Sequence, residues 1–475
     1  MASDISPTIF REYDIRGVVD RDLTDAAVHL VGKGLGTLVR RARHGATGHP
    51  SARFDRARAD GSTRVVVGRD CRLSGERFAE RMIAGLLSTG VDVVDLGVVP
   101  TPLTYFAAHV LDADGLCMIT GSHNPPEYNG LKVGVGKTTL HGEGIQELRA
   151  LVEAGRFAEG SGTSRPHDIV NPYRKYVREN LRMGPRRLKV VVDAGNGTGG
   201  VVAVPLFESL GLEVVPLFQE MDGRFPNHHP DPTVEKNLLH LRAKVREVQA
   251  DLGIAYDGDA DRVGAIDERG QVLWGDQLMI LFSRALLQEA PGAAIVGEVK
   301  CSKNLYDDIA RHGGRPIMWK AGHSLIKAKM KEEGALLAGE MSGHIFFAHR
   351  WFGFDDAIYS SGRLLELLSR TEVPLSSLLA DVPRTFASPE IRVDCPEEKK
   401  FEIVRRAQEY FAARYEAVTV DGVRVIFPDG WGLVRASNTQ PLLVLRFEAA
   451  DEGRLAQIEK LVTDKVEALK KEMGA

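Results

Sequence analysis

Cysteine is scarce in this sequence. Four occur, at 71, 117, 301 and 395, with no close pair and no zinc-type spacing. That excludes a disulfide-stapled scaffold, and a reduced cytoplasmic setting is the expectation. No stretch approaches about 18 uncharged apolar residues, so no membrane span is expected. The start, Met1 to Pro7, has no basic flank and no apolar run, and no secretory signal is expected there. An excess of one charge sign is lacking too. The formal net charge is -4, which argues against a general nucleic-acid or acidic-membrane partner. A monomer working on small molecules is the expectation.

What the chain does have is length and repetition. Its 475 residues allow three or four domains at ~150 residues each. With 43% hydrophobic residues, several cores can be buried. A β-rich run, a helix-length segment and a Gly stop recur three times. Arg64-VVVG-Arg69 leads to a helix through Glu80–Leu87, Gly90 and VDVVDLG. Leu188-KVVVD-Ala194 leads to a helix ending near Leu210, Gly211 and LEVVPLF. Ala294-IVGEV-Lys300 leads to a helix near Leu305–Ala310, Gly313-Gly314 and RPIMW. This βαβ-like pattern predicts three related α/β domains rather than one very large sheet. The apolar strands predict sheets covered by helices on both faces. The tail differs, with a helix from Glu397 to Tyr415 between short strands and a charged helix to Met473, which reads as a smaller α+β domain. The expected division is 1–167, 168–271, 272–384 and 385–475. Residues 41–62, basic and rich in Ala, Gly and Arg, read as a solvated loop.

Two motifs carry the chemistry. In Thr120-Gly121-Ser122-His123-Asn124-Pro125-Pro126, Gly121 would permit a tight turn and the prolines stop a helix. That would lift Ser122 into a cleft, where its oxygen can carry a group between two acceptors. His123 and Lys132 are near enough to neutralise phosphate or move a proton. The competing reading is a turn serine bonded to its own backbone. The Gly-x-Ser-x-Gly hydrolase elbow is ruled out by the missing second glycine.

Asp257, Asp259 and Asp261 recur at every second residue. In looping backbone their carboxylates can converge, and hard oxygens suit Mg2+. Arg262 would reach phosphate or fix a carboxylate. An EF-hand is a weak alternative, because its sixth position, a required glycine, is Arg262 and Val263–Ile266 reads as strand. A solvated acidic turn is the remaining alternative, weakened by the mutual repulsion of three acids.

Gly195, Gly197 and Gly200 match Gly-x-Gly-x-x-Gly after a strand. A dinucleotide site also wants an acid closing the second strand, whereas Glu213 opens it. A tight strand-to-helix turn is the better reading. Arg16 beside Gly17, Lys300, Gly322-His323-Ser324 and Gly339-Glu340-Met341-Ser342-Gly343-His344 place polar groups near strand ends. Glu340 and Ser342 suit sugar hydroxyls, and His344 suits proton movement. Arg435-Ala436-Ser437-Asn438-Thr439-Gln440-Pro441 is a polar loop fit to grip a phosphate.

With YDIRG, TGSHNPPEYNGLK, DGDADR, GEMSGH and RASNTQP in this order, the chain resembles the alpha-D-phosphohexomutases over nearly its whole length. TGSHNP with GEMSGH is similar to the bacterial phosphomannomutase/phosphoglucomutase branch. The resemblance implies four domains around a cleft, three related α/β domains and a last one related to the TATA-binding-protein fold. It implies a phosphorylated Ser122, with Mg2+ held by Asp257, Asp259, Asp261 and Ser122. Arg16, Lys132 and His344 would support the transferring group or proton movement. Glu340 and Ser342 would meet sugar hydroxyls, and Arg435, Ser437, Asn438 and Thr439 the non-reacting phosphate. Tyr13, His123, Arg262, Lys300 and His323 would be further substrate contacts. The implied reaction interconverts hexose 1-phosphate and hexose 6-phosphate, of glucose and mannose, through glucose 1,6-bisphosphate or mannose 1,6-bisphosphate. A metal-dependent sugar-phosphate phosphatase is the main alternative, and a non-catalytic sugar-phosphate sensor is another.

Overall fold

Val65, Val66 and Val67 are wholly buried, as are Val190, Val191 and Val192. Such runs, apolar on both faces, form central parallel strands. The computed structural model describes residues 5–43, 61–437 and 440–474. Most of the basic 41–62 segment, residues 44–60, lies outside the described residues, as do Asn438 and Thr439.

Three units share one strand plan. In the first, Arg64–Arg69 lies between Asp92–Val98 and Gly115–Ile119, all parallel, and Tyr128–Val135 adds antiparallel to the third. In the second, Lys189–Asp193 lies between Glu213–Leu217 and Leu252–Tyr256, and Val263–Asp267 adds antiparallel. In the third, Ala294–Glu298 lies between Arg315–Trp319 and Leu337–Gly339, and Ile345–Phe347 adds antiparallel.

This plan positions the chemistry. The parallel strands need crossovers, whereas the antiparallel fourth strand needs only a short turn. That turn leaves the C-terminal end of the third strand in every unit. It holds Ser122 in the first unit, Asp257 to Arg262 in the second, and Glu340 to His344 in the third. Strand C-terminal ends at a change of order are where α/β sheets bind ligands.

The predicted helices are present with shifted ends. The first crossover helix runs Gly75–Leu87, starting before Glu80 because Phe78, Met82 and Leu86 bury one face. The others run Gly200–Ser209 and Lys303–Arg311. One continuous core joins the first three units, with Phe106, Val192, Ile254, Phe282 and Phe347 in it.

The last unit is an antiparallel sheet backed by helices Glu397–Ala412 and Glu452–Glu472. Strand alternation settles how it faces the rest. On Gly430–Ala436, Val434 and Ala436 enter its own core, while Trp431 and Leu433 pack on Val299 of the third unit. Arg435 follows on that second face and lines the cleft between the units. Arg424 of the adjacent strand lies 3.7 Å over the Trp431 ring and donates 2.7 Å bonds to the carbonyls of Val299 and Cys301.

Candidate active site

The serine turn is built differently from the sequence reading. Ser122 itself takes the left-handed conformation, with φ 49°, and Gly121 does not. Gly121 is needed for space, because a Cβ there would stand 2.5 Å from Arg72 Cζ. A left-handed residue other than glycine persists only where its surroundings over-determine it. Here they do. The Ser122 N–H donates to Thr120 Oγ1 at 2.8 Å, and the Gly121 N–H to Asp70 Oδ2 at 3.2 Å. The buried Arg72 guanidinium donates to the carbonyls of Ser122, Asn124, Pro125 and Tyr128 at 2.8, 2.5, 2.6 and 2.8 Å. Its Nε also meets Asp70 at 3.2 Å. Neither Asp70 nor Arg72 stands out in the sequence as a site residue. The available signal is their place at the end of a central strand.

Ser122 Oγ donates to Asp257 Oδ2 at 2.7 Å and lies 3.2 Å from His123 Nδ1. Asp257, Asp259 and Asp261 each offer an oxygen within 4.8 Å of the others, and all three are buried. Ala260, with φ 56°, bends the loop. Asp257 Oδ1 caps the N–H groups of Asp261 and Arg262 at 3.1 Å each. Lys132 donates to Asp259 Oδ2 at 2.7 Å and also to Asp261. Asp259 Oδ1 remains buried without a hydrogen bond. Three close buried carboxylates, one of them with an oxygen that has no hydrogen bond, fit a hard divalent cation. The glycine-rich loop turns out to support this cup. Thr198 N–H reaches Gly258 O at 3.0 Å, and a Cβ on Gly197 would lie 2.5 Å from that oxygen.

The third turn brings Glu340, Ser342 and His344 together. His344 Nδ1 lies 3.0 Å from both Glu340 Oε2 and Ser342 Oγ, and its Nε2 lies 3.3 Å from Asp261 Oδ1. Burial pulls the His344 imidazole down, but the Asp261 and Glu340 carboxylates together outweigh it and raise it to about 9. His123 and His323 are pushed well below the usual range, by burial first and then by Arg262 and Lys327 respectively. Arg262 Nε meets His344 Nε2 at 3.3 Å, rather than gripping a carboxylate with two bonds as the sequence reading allowed.

The cleft has a volume of about 990 Å³, and the predicted residues converge on it. Tyr13, Arg16, Ser122, His123, Lys132, Asp261, Arg262, Lys300, His323, Glu340, Ser342, His344, Arg435 and Ser437 line it. Asp257 and Asp259 lie just behind the wall, fully buried. Arg16 is held by Asp14 and by Asn124 Oδ1, both at 2.5 Å, so its guanidinium faces the serine turn. Lys300 lies 3.3 Å from Glu390 and 3.6 Å from Glu298.

Three α/β units of one plan and a fourth of different build, closed around a single polar cleft, define a multidomain α/β enzyme. Family descriptions match along the chain. Phosphoglucomutase/phosphomannomutase alpha/beta/alpha domain I matches residues 7–159, domain II 171–270, domain III 274–386 and the C-terminal domain 390–465. The chain is 46% identical over 469 residues to a phosphomannomutase/phosphoglucomutase of Pseudomonas aeruginosa, covering 98% of this chain and 97% of that one. It is 43% identical over 464 residues to a phosphoglucomutase of Neisseria meningitidis, covering 96% of each. A crystal structure of a phosphoglucomutase/phosphomannomutase family protein from Burkholderia thailandensis superposes with a TM-score of 0.89 at 42% identity, covering 98% of both chains. The chain belongs to the phosphoglucomutase/phosphomannomutase family, in the bacterial branch of the alpha-D-phosphohexomutases.

Proposed function

We propose that this enzyme reversibly converts hexose 1-phosphate and hexose 6-phosphate, of glucose and mannose, with Ser122 as the phosphoryl carrier and Mg2+ as the cation. The observation that carries this reading is the 2.7 Å contact between Ser122 Oγ and Asp257, the first acid of the cup. The residues present fit the cation through Asp257, Asp259 and Asp261. When bound, it would supply positive charge beside the phosphoryl oxygens.

The chain's own residues account for the rest. A sugar hydroxyl attacks the phosphorus on Ser122, its new P–O bond forming as the Ser122 Oγ–P bond breaks. Arg16 and Lys132 offset charge on the moving group. The hydroxyl proton ends on the freed Ser122 Oγ, and His344, kept protonated between Glu340 and Asp261, is placed to offset charge or donate a proton beside the moving group. The product is a hexose 1,6-bisphosphate, whose other phosphoryl group then returns to Ser122 after the sugar turns around. Both orientations need the same distal anchor, a role suited to Arg435 and Ser437, with Asn438 and Thr439 beside them in sequence. Glu340 and Ser342 hold the sugar hydroxyls. Glucose and mannose differ at C2, so contacts centred on C3 and C4 serve both.

Intact-mass measurement after incubation with glucose 1,6-bisphosphate should show one added phosphoryl group on Ser122. Turnover of glucose 1-phosphate and mannose 1-phosphate should conserve phosphate in hexose products. Stoichiometric free phosphate would favour the phosphatase instead. A fully active Ser122→Ala enzyme would sink the mechanism.

A further inference from the structure

The backbone at Ala321 and Gly322 is held by side chains of the first, third and fourth units. The Ala321 carbonyl accepts from Tyr13 OH of the first unit at 3.0 Å. The Gly322 N–H donates to Glu340 Oε1 at 2.6 Å. The Ala321 N–H donates to Asp421 Oδ2 of the fourth unit at 3.1 Å. There is no slack at this junction, because a Cβ on Gly322 would stand 2.6 Å from Tyr13 Cζ.

That same Asp421 oxygen accepts Arg435 Nε at 2.8 Å. The backbone explains why the two meet. Asp421 sits in the turn between strands Glu416–Val418 and Val423–Phe427. Gly422 follows it with φ 72°, and a Cβ there would lie 2.2 Å from Val434 O and 2.8 Å from Arg435 Cα. Only glycine lets this turn lie flat on the strand that carries Arg435. An arginine bound through Nε has its plane fixed, so its terminal nitrogens present a set edge to the cleft.

We infer that Asp421 is a positioning residue: it sets the Arg435 guanidinium for the distal phosphate and ties that setting to the Ala321 N–H, two residues before His323. It touches no substrate and acts through Arg435. The inference rests on the phosphate-anchoring role proposed above for Arg435.

A double-mutant cycle on the full-length enzyme tests it. Asp421→Ala should raise KM for glucose 1-phosphate about tenfold, the scale of one charge-assisted hydrogen bond. Inhibition by inorganic phosphate should weaken in parallel. Asp421→Asn keeps an acceptor oxygen but loses the charge, and should fall between, which also covers poor folding of the alanine variant. The double variant Asp421→Ala/Arg435→Ala should be no worse than Arg435→Ala alone. Single effects that multiply in the double variant, or a lower Tm with KM within twofold of wild type, would overturn the inference. A wild-type enzyme without mutase turnover would instead reject the proposed function, so the two failures are distinguishable.

Discussion

Ser122 Oγ donates a 2.7 Å hydrogen bond to Asp257 Oδ2 although the two residues lie 135 positions apart on different units. The contact exists because both residues occupy the same place in the shared strand plan, the turn after the third strand. Two such turns meet edge to edge here: a Cβ on Gly258 would lie 2.5 Å from the Ser122 carbonyl. Small shifts in either turn therefore move the serine relative to the acids.

Arg72 should control that register. Its planar donors hold the serine turn by four carbonyls, and a lysine ammonium cannot copy the fork. Arg72→Lys should lower kcat by about a hundredfold, the effect of misplacing a reacting atom by about 1 Å. Phosphoryl uptake on Ser122 should slow as well. Steady-state kinetics and intact mass check both, and a variant with wild-type kcat would remove Arg72 from the account.

The strand plan and the turns of the candidate site were legible because their residue types repeat. Strands rich in Val or Ile, each followed by a helix-length segment and a Gly stop, and acids at 257, 259 and 261, need no long-range information to be noticed. The supports were not legible. Asp70, Arg72 and Asp421 are ordinary charged residues in sequence, and only packing reveals which carbonyl or guanidinium each one holds. The Gly121–Ser122 reversal has the same origin. Local rules assign the left-handed turn to glycine, but the buried Arg72 claims the space beside Gly121 and leaves the strain to Ser122. Helix starts shifted for a milder reason, since a burying face extends past the obvious apolar run.

Gly197 should tune the cation site without touching it. Its missing Cβ lets the glycine-rich loop press on Gly258, in the middle of the carboxylate loop. Gly197→Ala should push that loop and raise the Mg2+ concentration giving half-maximal activity by about tenfold, as when the partners that orient metal ligands are disturbed. Gly211→Ala is the control. Gly211 has φ 83° and nothing within 4 Å of its Cβ position, so it should cost about 1–2 kcal/mol of stability with Mg2+ dependence unchanged. Equal Mg2+ dependence in both variants would reject the coupling.

His109 should make the junction of the first and third units acid-sensitive. Its ring packs 4.8 Å from Phe352 and 5.7 Å from Phe354, centroid to centroid. Burial, then the Lys137 charge, lowers its imidazole to about 4. A depressed histidine binds fewer protons folded than unfolded, so stability rises with pH across the gap. The contribution is complete above about 6.5, the ordinary histidine value. It is lost as pH falls from there toward 4. The gap corresponds to at most about 3 kcal/mol. His109→Phe keeps an aromatic ring against Phe352 and removes the proton site. The difference in Tm between wild type and His109→Phe should therefore move in favour of the variant as pH drops from 7.5 to 4.5. Taking that difference cancels the titration of carboxylates common to both proteins. A Tm difference that stays constant over this range would show that His109 does not titrate between the folded and unfolded states.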